Sequence, residues 1–196
     1  AFSPDGTRVY VANIYDDTVS VIDTATHTVA ATIPVGELPF GVAVSPGGEK
    51  AYVVNGMGGS VSVIDTATHT VTATIPVSGA AFVAVSPDGA TAYVTNPDLI
   101  DFDGHTVSVI DTATDTVITT VTVGSAPAVI VVGPDGATAY VADRGDGTVS
   151  VIDTATNTVT TTMVLGGNPV WVAVSPDGAT LYVTDQEAGT VSVLSL

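Results

Sequence analysis

The stretch from Val107 to Thr114 reads VSVIDTAT, and near-copies of it recur along the whole chain. Its opening string VSV occurs at steps of 42, 46, 42 and 42 residues, beginning at Val19, Val61, Val107, Val149 and Val191. The pair Tyr-Val keeps the same register, beginning at Tyr10, Tyr52, Tyr93, Tyr140 and Tyr182. Several markers in register at one period are the signature of a repeat architecture.

Each repeat is predicted to contain four short strands. In the second repeat these are residues 40–45, 51–55, 60–65 and 70–77, separated by turns such as Pro46-Gly47-Gly48 and Thr66-Ala67-Thr68. Val, Ile, Thr and Tyr dominate the strands, whereas Pro, Gly and Asp mark the turns. No helical periodicity interrupts this pattern.

The four strands of a repeat differ in polarity. The first three, which we call strands A to C, are nearly continuous apolar runs, and such strands need cover on both faces. Strand D alternates Thr with apolar residues and ends at Pro34 or Pro76 in the first two repeats, which suits an outer edge. Four-stranded sheets packed face to face with a polar outer strand are the blades of a β-propeller.

Two motifs resemble a known repeat family. The turn Ser86-Pro87-Asp88-Gly89 and the strand Tyr93-Val94-Thr95-Asn96, followed by VSVIDTAT, are similar to the YVTN β-propeller repeat found in surface-layer proteins. The resemblance covers essentially the whole chain. It implies placement outside the cytoplasm: extracellular, at the cell surface or periplasmic. Related propellers include lactonases, a lyase and redox enzymes, so the resemblance specifies the fold better than the function.

The chain is predicted to be an all-β, single propeller domain over residues 1–196. Its repeats span approximately 1–35, 36–77, 78–123, 124–165 and 166–196, which gives three strands, three sets of four, and three more, or 18 in all. We interpret these five repeats as the C-terminal part of a larger propeller, for example a seven-bladed one. A five-bladed ring with two three-stranded blades is the alternative. An open fragment would expose strand edges and self-associate.

The charge of the chain narrows the choice of partners. Twenty acidic residues against three basic ones give a formal net charge of -17. This charge repels phosphate backbones and anionic membrane surfaces, so nucleic acid is not an expected partner. No apolar run approaches the ~20 residues of a membrane span, so no membrane insertion is expected. A partner with a basic surface is compatible with the charge.

Most polar repeat residues are interpreted as structural. An Asp precedes Thr-Ala-Thr in four repeats, at Asp23, Asp65, Asp111 and Asp153, and another lies in each Pro-Asp-Gly turn, at Asp5, Asp88, Asp135 and Asp177. Asp side chains cap such turns. Strand B ends in Asn or Asp in every repeat, at Asn13, Asn55, Asn96, Asp143 and Asp185, and these are also interpreted as turn residues.

Function is expected on the face that carries the B–C and D–A loops, because these loops vary between repeats whereas the turns of the other face are nearly invariant. The varied residues are Asp16, Asp17, Glu37, Met57, Asp98, Asp101, Asp103, Asp146 and Glu187. The longest of these loops, residues 97–105, contains Asp98, Asp101 and Asp103 beside a glycine. This is either a Ca²⁺ site or a solvated acidic loop. No other cofactor is expected, since no Cys/His cluster has zinc spacing.

Two further sets of residues on this face are binding candidates. Arg144-Gly145-Asp146 spells an adhesion-like tripeptide in the fourth B–C loop, with the alternative that it is an ordinary glycine-containing loop. Phe40, Phe82 and Trp171 lie near the start of strand A, close to the channel mouth, and either form a ligand platform or pack between blades.

The leading hypothesis is a non-catalytic, secreted or cell-surface scaffold that binds a protein or other macromolecule through the loop face. The alternative is a metal-dependent enzyme of the lactonase or lyase kind with its site at the channel mouth. No converging acid–base set supports the enzyme.

Overall fold

The computed structural model describes residues 1–98 and 103–196. The described residues form 18 β-strands in five sheets, which we call blades 1 to 5 in chain order, so both the predicted all-β class and the strand count are confirmed. Blade 1 contains β1 (Arg8–Asn13), β2 (Thr18–Asp23) and β3 (Thr28–Pro34). Blade 2 contains β4 (Pro39–Val44), β5 (Lys50–Asn55), β6 (Ser60–Asp65) and β7 (Thr70–Pro76).

The remaining three blades repeat this order. Blade 3 contains β8 (Phe82–Val85), β9 (Thr91–Asn96), β10 (Thr106–Asp111) and β11 (Thr116–Thr122). Blade 4 contains β12 (Pro127–Val132), β13 (Thr138–Asp143), β14 (Thr148–Asp153) and β15 (Thr158–Val164). Blade 5 contains β16 (Pro169–Val174), β17 (Thr180–Asp185) and β18 (Thr190–Ser195).

Each blade is an antiparallel meander in which sequence neighbours pair. The A strands β4, β8, β12 and β16 contact one another from blade to blade, which places them innermost. The D strands β3, β7, β11 and β15 lie at the outside with mostly exposed side chains. Among the described residues there is no helix with the length and hydropathy to cross a membrane.

The hydrophobic cores lie between blades rather than within them. In the core between blades 2 and 3, Tyr52, Val61 and Val63 pack against Ala92 and Val94 of the next blade. The interfaces between blades 1 and 2, 3 and 4, and 4 and 5 use the equivalent positions. One face of strands B and C packs against the following blade and the other face packs against the preceding blade. These strands are therefore apolar at nearly every position.

A β-bulge recurs where strand C pairs with strand D. The register shifts at Val21/Ile22, Val63/Ile64, Val109/Ile110 and Val151/Ile152, which is the same place in each of the four blades. Bulges increase local strand twist. Because the bulge lies at equivalent residues in the four blades, it twists their outer strands in the same way. The sequence analysis did not predict this feature.

The turn aspartates cap their turns as predicted. The Oδ1 atom of Asp65 accepts hydrogen bonds from the backbone N–H groups of Ala67 and Thr68 at 3.0 and 2.7 Å. In the other turn type, Asp88 accepts from Ala90 N–H at 3.0 Å and from the Ser86 hydroxyl at 2.5 Å. Donation to the carboxylates lowers the pKa of Asp65, chiefly through Thr68 N–H, and that of Asp88, chiefly through the Ser86 hydroxyl.

Blade 5 exposes a face that is buried in the other blades. Tyr182, Val191 and Val193 are 43%, 57% and 62% exposed, whereas Tyr52, Val61 and Val63 at the same positions of blade 2 are each 0% exposed. On blade 1 the opposite face is open, and Val11 is 39% exposed where Val53 of blade 2 is 0% exposed. These are the two kinds of blade face that pack against each other in the interblade cores.

We predict that the 196-residue chain self-associates through these faces, because contiguous apolar patches on soluble proteins drive association. Replacing both Val191 and Val193 with Asp should shift the sedimentation-velocity distribution towards monomer. Val29→Asp is the control, since Val29 is 58% exposed but lies on the outer strand β3. A wild-type chain that is monomeric at every concentration would contradict the prediction.

Candidate functional site on the loop face

Hydrogen bonds between B–C and D–A loops show that the two kinds of loop share one face. The carboxylate of Asp17, in the first B–C loop, accepts from the backbone N–H of Leu38 at 2.9 Å. Asp146, in the fourth B–C loop, accepts from the backbone N–H of Ser125 at 2.8 Å. Two of the varied acidic residues therefore fix the neighbouring loop.

Three aromatic rings from three blades meet beside the inner strands. The centroids of Phe40 and Phe82 lie 6.0 Å apart with an interplanar angle of 76°, and those of Phe82 and Trp171 lie 5.8 Å apart at 81°. Both are edge-to-face arrangements, which aromatic side chains favour. Phe82 is half-buried in the middle, while Phe40 and Trp171 are exposed.

A pocket of about 400 Å³ lies against Phe40 and Phe82, and we call it the aromatic pocket. Among the described residues that line it, Arg144 is the only charged one, and the others are Leu38, Phe40, Ala81, Phe82, Pro97, Ala126 and Ala128. A second hollow of about 370 Å³ continues along the inner strands past Phe40, Phe82 and Trp171. The arrangement suits a ligand group that is apolar on most of its surface.

Arg144 separates the aromatic pocket from a more polar one. Its Nε donates to the side-chain oxygen of Asn168 in the next blade at 3.1 Å. On that side a pocket of about 500 Å³ is lined by Arg144, Asn168 and Glu187 and by three small residues, Ala126, Gly145 and Gly167. Both charged residues of the Arg144-Gly145-Asp146 tripeptide thus hold neighbouring loops, and its adhesion role stays a prediction.

The predicted calcium loop is described only in part. Asp98 and Asp103 belong to the described residues, and Asp101 lies outside them. The Nδ1 atom of His105 lies 2.6 Å from the backbone oxygen of Asp103. Within residues 1–98 and 103–196, no group of three or more metal-ligating side chains comes together. Calcium binding at Asp98, Asp101 and Asp103 stays a prediction.

The polar residue at the end of strand B is a hydrogen-bonding centre that sequence reasoning missed. Asn55 donates from Nδ2 to the hydroxyls of Ser60 and Ser62 on strand C at 3.0 and 2.9 Å, and its Oδ1 accepts from Gly36 N–H at 3.1 Å. Asn13 and Asn96 make the same pair of hydroxyl contacts. These residues stand at the start of the turn, as the backbone bond from Asp16 N–H to Asn13 O shows, but their side chains bridge strands B and C, which the turn interpretation did not include.

Blades 4 and 5 have Asp at this position. Asp185 does cap its turn, accepting from the N–H groups of Glu187 and Ala188. Asp143 does not: it is fully buried and accepts from the hydroxyls of Ser150 and Thr148 at 2.6 and 3.1 Å. Its Oδ1 has no hydrogen-bond partner among the described residues.

Burial raises the pKa of Asp143 to about 6, with the two hydroxyl donors acting in the opposite direction and the charge of Asp146 adding to the rise. Asp143 lies directly before Arg144 and under the D–A loop. A Cβ at Gly124 of that loop would stand 2.6 Å from the Cβ of Asp143, so only glycine allows this close approach. The ionisable carboxyl of Asp143 is therefore adjacent in the chain to Arg144, which lines the aromatic pocket.

We predict that Asp143→Asn stabilises the fold above the folded-state pKa. Because the folded pKa lies above the unfolded value of 3.8, stability falls as pH rises from about 4 to about 6 and the buried carboxylate ionises. At about pH 7 the variant should gain about 1–3 kcal/mol, and at or below about pH 4 nearly nothing. Urea unfolding at both pH values measures the difference.

The reverse substitution is the matched control. Asn55→Asp places a carboxyl at the equivalent buried position of blade 2, where the wild-type amide satisfies both hydroxyls. It should destabilise the chain at neutral pH and much less at about pH 4. Equal effects of either substitution at both pH values would show that ionisation of this position does not affect stability.

The whole chain, residues 1–196, matches the family described as lactonase, 7-bladed β-propeller. This chain belongs to that family. The described residues form five blades, and the family is described as seven-bladed. No curated protein matches the sequence significantly.

Solved structures support the same fold. A chain of hydrazine synthase from Kuenenia stuttgartiensis superposes with a TM-score of 0.87 at 26% sequence identity. All of the present chain is covered, and it spans 64% of the length of that hydrazine synthase chain. A protein of unknown function from Desulfotomaculum acetoxidans DSM 771 gives a TM-score of 0.82 at 22% identity, covering 100% of this chain and 68% of that one.

Proposed function

We propose that this propeller is a non-catalytic binding scaffold that recognises a protein partner through its loop face. The observation that carries the proposal is the aromatic pocket together with the hollow that adjoins it, where Phe40 and Trp171 are exposed. Exposed aromatic residues gathered around a hollow are typical of the central contacts of protein interfaces. The rings come from blades 2, 3 and 5, so the folded propeller, and no single repeat, presents them.

The proposed partner segment carries an apolar anchor side chain flanked by basic residues. An apolar side chain matches the walls of the aromatic pocket. Basic flanking residues match the acidic loop face, which includes Asp16, Asp17, Glu37 and Glu187, and the net charge of -17. The finer YVTN assignment and a location outside the cytoplasm belong to the same proposal, and both are supported by the repeat motifs.

Trp171 provides a direct test, because it is the chain's only tryptophan. Peptides selected from a random display library against the wild-type protein should share an aromatic or large aliphatic residue next to Lys or Arg. Binding of such a synthetic peptide should change the fluorescence of Trp171. Phe40→Ala should weaken the peptide at least about tenfold, which is the effect of losing one central interface contact.

Thr72→Ala is the matched control, since Thr72 lies on the outer strand β7 and away from the loop face. This variant should bind the peptide as the wild type does. Selected peptides that bind Phe40→Ala as tightly as wild type, or that leave Trp171 fluorescence unchanged, would contradict the aromatic pocket as the binding site.

Family membership favours a second candidate function, hydrolysis of a lactone. The reaction needs a base for the attacking water and a positive group for the developing oxyanion. Glu187 and Arg144 line one pocket of about 500 Å³ and together offer these two roles.

We predict that a panel of aliphatic and sugar lactones decides between the two functions. The scaffold proposal predicts rates equal to the uncatalysed background. Catalysed opening that is lost in Glu187→Gln, with Glu37→Gln as the control on the same face, would replace the scaffold by the enzyme. Glu37 does not line the pocket of Arg144 and Glu187.

A further inference from the structure

The opposite face of the propeller has a repeated contact between the Tyr of strand B and the C–D turn of the next blade. The contact is made to Asp115 in blade 3 and to Asn157 in blade 4, and His69 holds the equivalent position in blade 2, where it lines one pocket with Tyr10. All three turn residues have positive φ. Tyr93 donates from its hydroxyl towards the Asn157 side-chain oxygen at 3.4 Å. The same site therefore exists three times with three different turn residues.

Between blades 2 and 3 this site contains its own carboxylate. Lys50 donates from Nζ to the two carboxylate oxygens of Asp115 at 2.9 and 2.8 Å and to the backbone oxygen of Thr112 at 2.7 Å. The hydroxyl of Tyr52 lies 3.4 Å from Oδ1 of Asp115. The carboxylate of Asp115 is thus contacted by the ammonium group of Lys50 and the hydroxyl of Tyr52, both from the preceding blade.

Between blades 1 and 2 the cation and the phenol are present, but the carboxylate is replaced. Arg8 occupies the position of Lys50, Tyr10 that of Tyr52, and His69 that of Asp115. With no carboxylate at the position equivalent to Asp115, Arg8 contacts its own blade instead, where Nη1 lies 2.5 Å from Asp23 and 3.0 Å from Thr7 O. Both of these bonds use one terminal nitrogen of a group that has five N–H donors.

A hollow of about 460 Å³ lies at this place, and we call it the interblade pocket. Its lining includes Arg8, Tyr10, Thr66 and His69. The Nδ1 atom of His69 is buried without a hydrogen-bond partner among the described residues. A buried nitrogen left without a partner is a sign that a water or a ligand completes the site.

We propose that the interblade pocket binds a ligand carboxylate in the position that Asp115 occupies one interface further on. The carboxylate accepts from the guanidinium of Arg8, from the ring N–H of His69 and from the hydroxyl of Tyr10. Charge-assisted hydrogen bonds to a carboxylate are the strong component of such a site. This site is distinct from the aromatic pocket and independent of the proposed scaffold function.

One carboxylate, Asp5, lines the interblade pocket, while Asp23 is ion-paired with the lining residue Arg8 and Asp65 directly precedes the lining residue Thr66. These three charges disfavour anions of higher charge. Asp5 is held by the hydroxyls of Ser3 and Thr7, Asp23 by Arg8, and Asp65 by the N–H groups of its own turn. Since these charges remain in place, a monoanion with one carboxylate suits the pocket better than a phosphate dianion.

The test uses the His ring protons in NMR spectra of the 196-residue chain. Sodium acetate is titrated against sodium chloride at constant ionic strength and pH. The His69 signal should shift and saturate, while that of His27 should stay unchanged. His27 is the ideal internal control, because it has the same turn position and positive φ in blade 1 but does not line the interblade pocket.

Arg8→Gln should weaken acetate binding by roughly tenfold, and Arg8→Lys should retain most of it. Unchanged His27 and His105 signals in either variant would show that the fold is intact. Equal, unsaturable shifts of His27 and His69 would overturn the proposal, as would acetate binding that Arg8→Gln leaves unchanged. A His69 response to phosphate with none to acetate would overturn the assignment to a carboxylate.

Discussion

Burial of each blade against its neighbours is the interaction on which the rest of this structure depends. A blade has no core of its own, because the apolar residues of its middle strands point out of the sheet on both sides. Tyr52 and Val61 are completely buried only because blade 3 covers them, and Val53 only because blade 1 does. Burying such side chains contributes about 1.5–3 kcal/mol each, so a blade with one open face loses much of its stabilisation.

The same constraint positions the functional candidates. Since adjacent blades must pack face to face, their inner strands converge and bring Phe40, Phe82 and Trp171 together from blades 2, 3 and 5. Hydrogen bonds also connect the loops of adjacent blades, such as the one that Arg144 donates to Asn168. On the opposite face, the tyrosine of one blade lies near the C–D turn of the next blade. The pocket between blades 1 and 2 therefore differs in chemistry from its equivalent between blades 2 and 3, because its turn residue is His69 and not an aspartate such as Asp115. Both candidate sites are therefore products of the interblade interfaces.

The fold could be predicted from the sequence because the repeat gives the same information five times. The period, the all-apolar strands and the Thr-rich outer strand together indicated blades, and strand C of the second repeat was predicted at the observed bounds, Ser60–Asp65. The role of Asn55 and Asp143 could not be predicted, since it depends on hydroxyls across the strand pair and on a glycine of another loop. The edge-to-face contact of Phe82 with both other rings also depends on the angle between blades, which sequence spacing does not specify.

Hydrogen–deuterium exchange, measured strand by strand under native conditions on the monomer at low protein concentration, tests the central role of interblade burial most directly. Amides protected by a buried core exchange only on larger openings, whereas poorly covered units open locally at lower cost. The account predicts the slowest exchange in the strands covered on both sides: β5, β6, β9, β10, β13 and β14. It predicts clearly faster exchange in β17 and β18, although their ladder of hydrogen bonds is complete. Protection of β17 equal to that of β9 would contradict it.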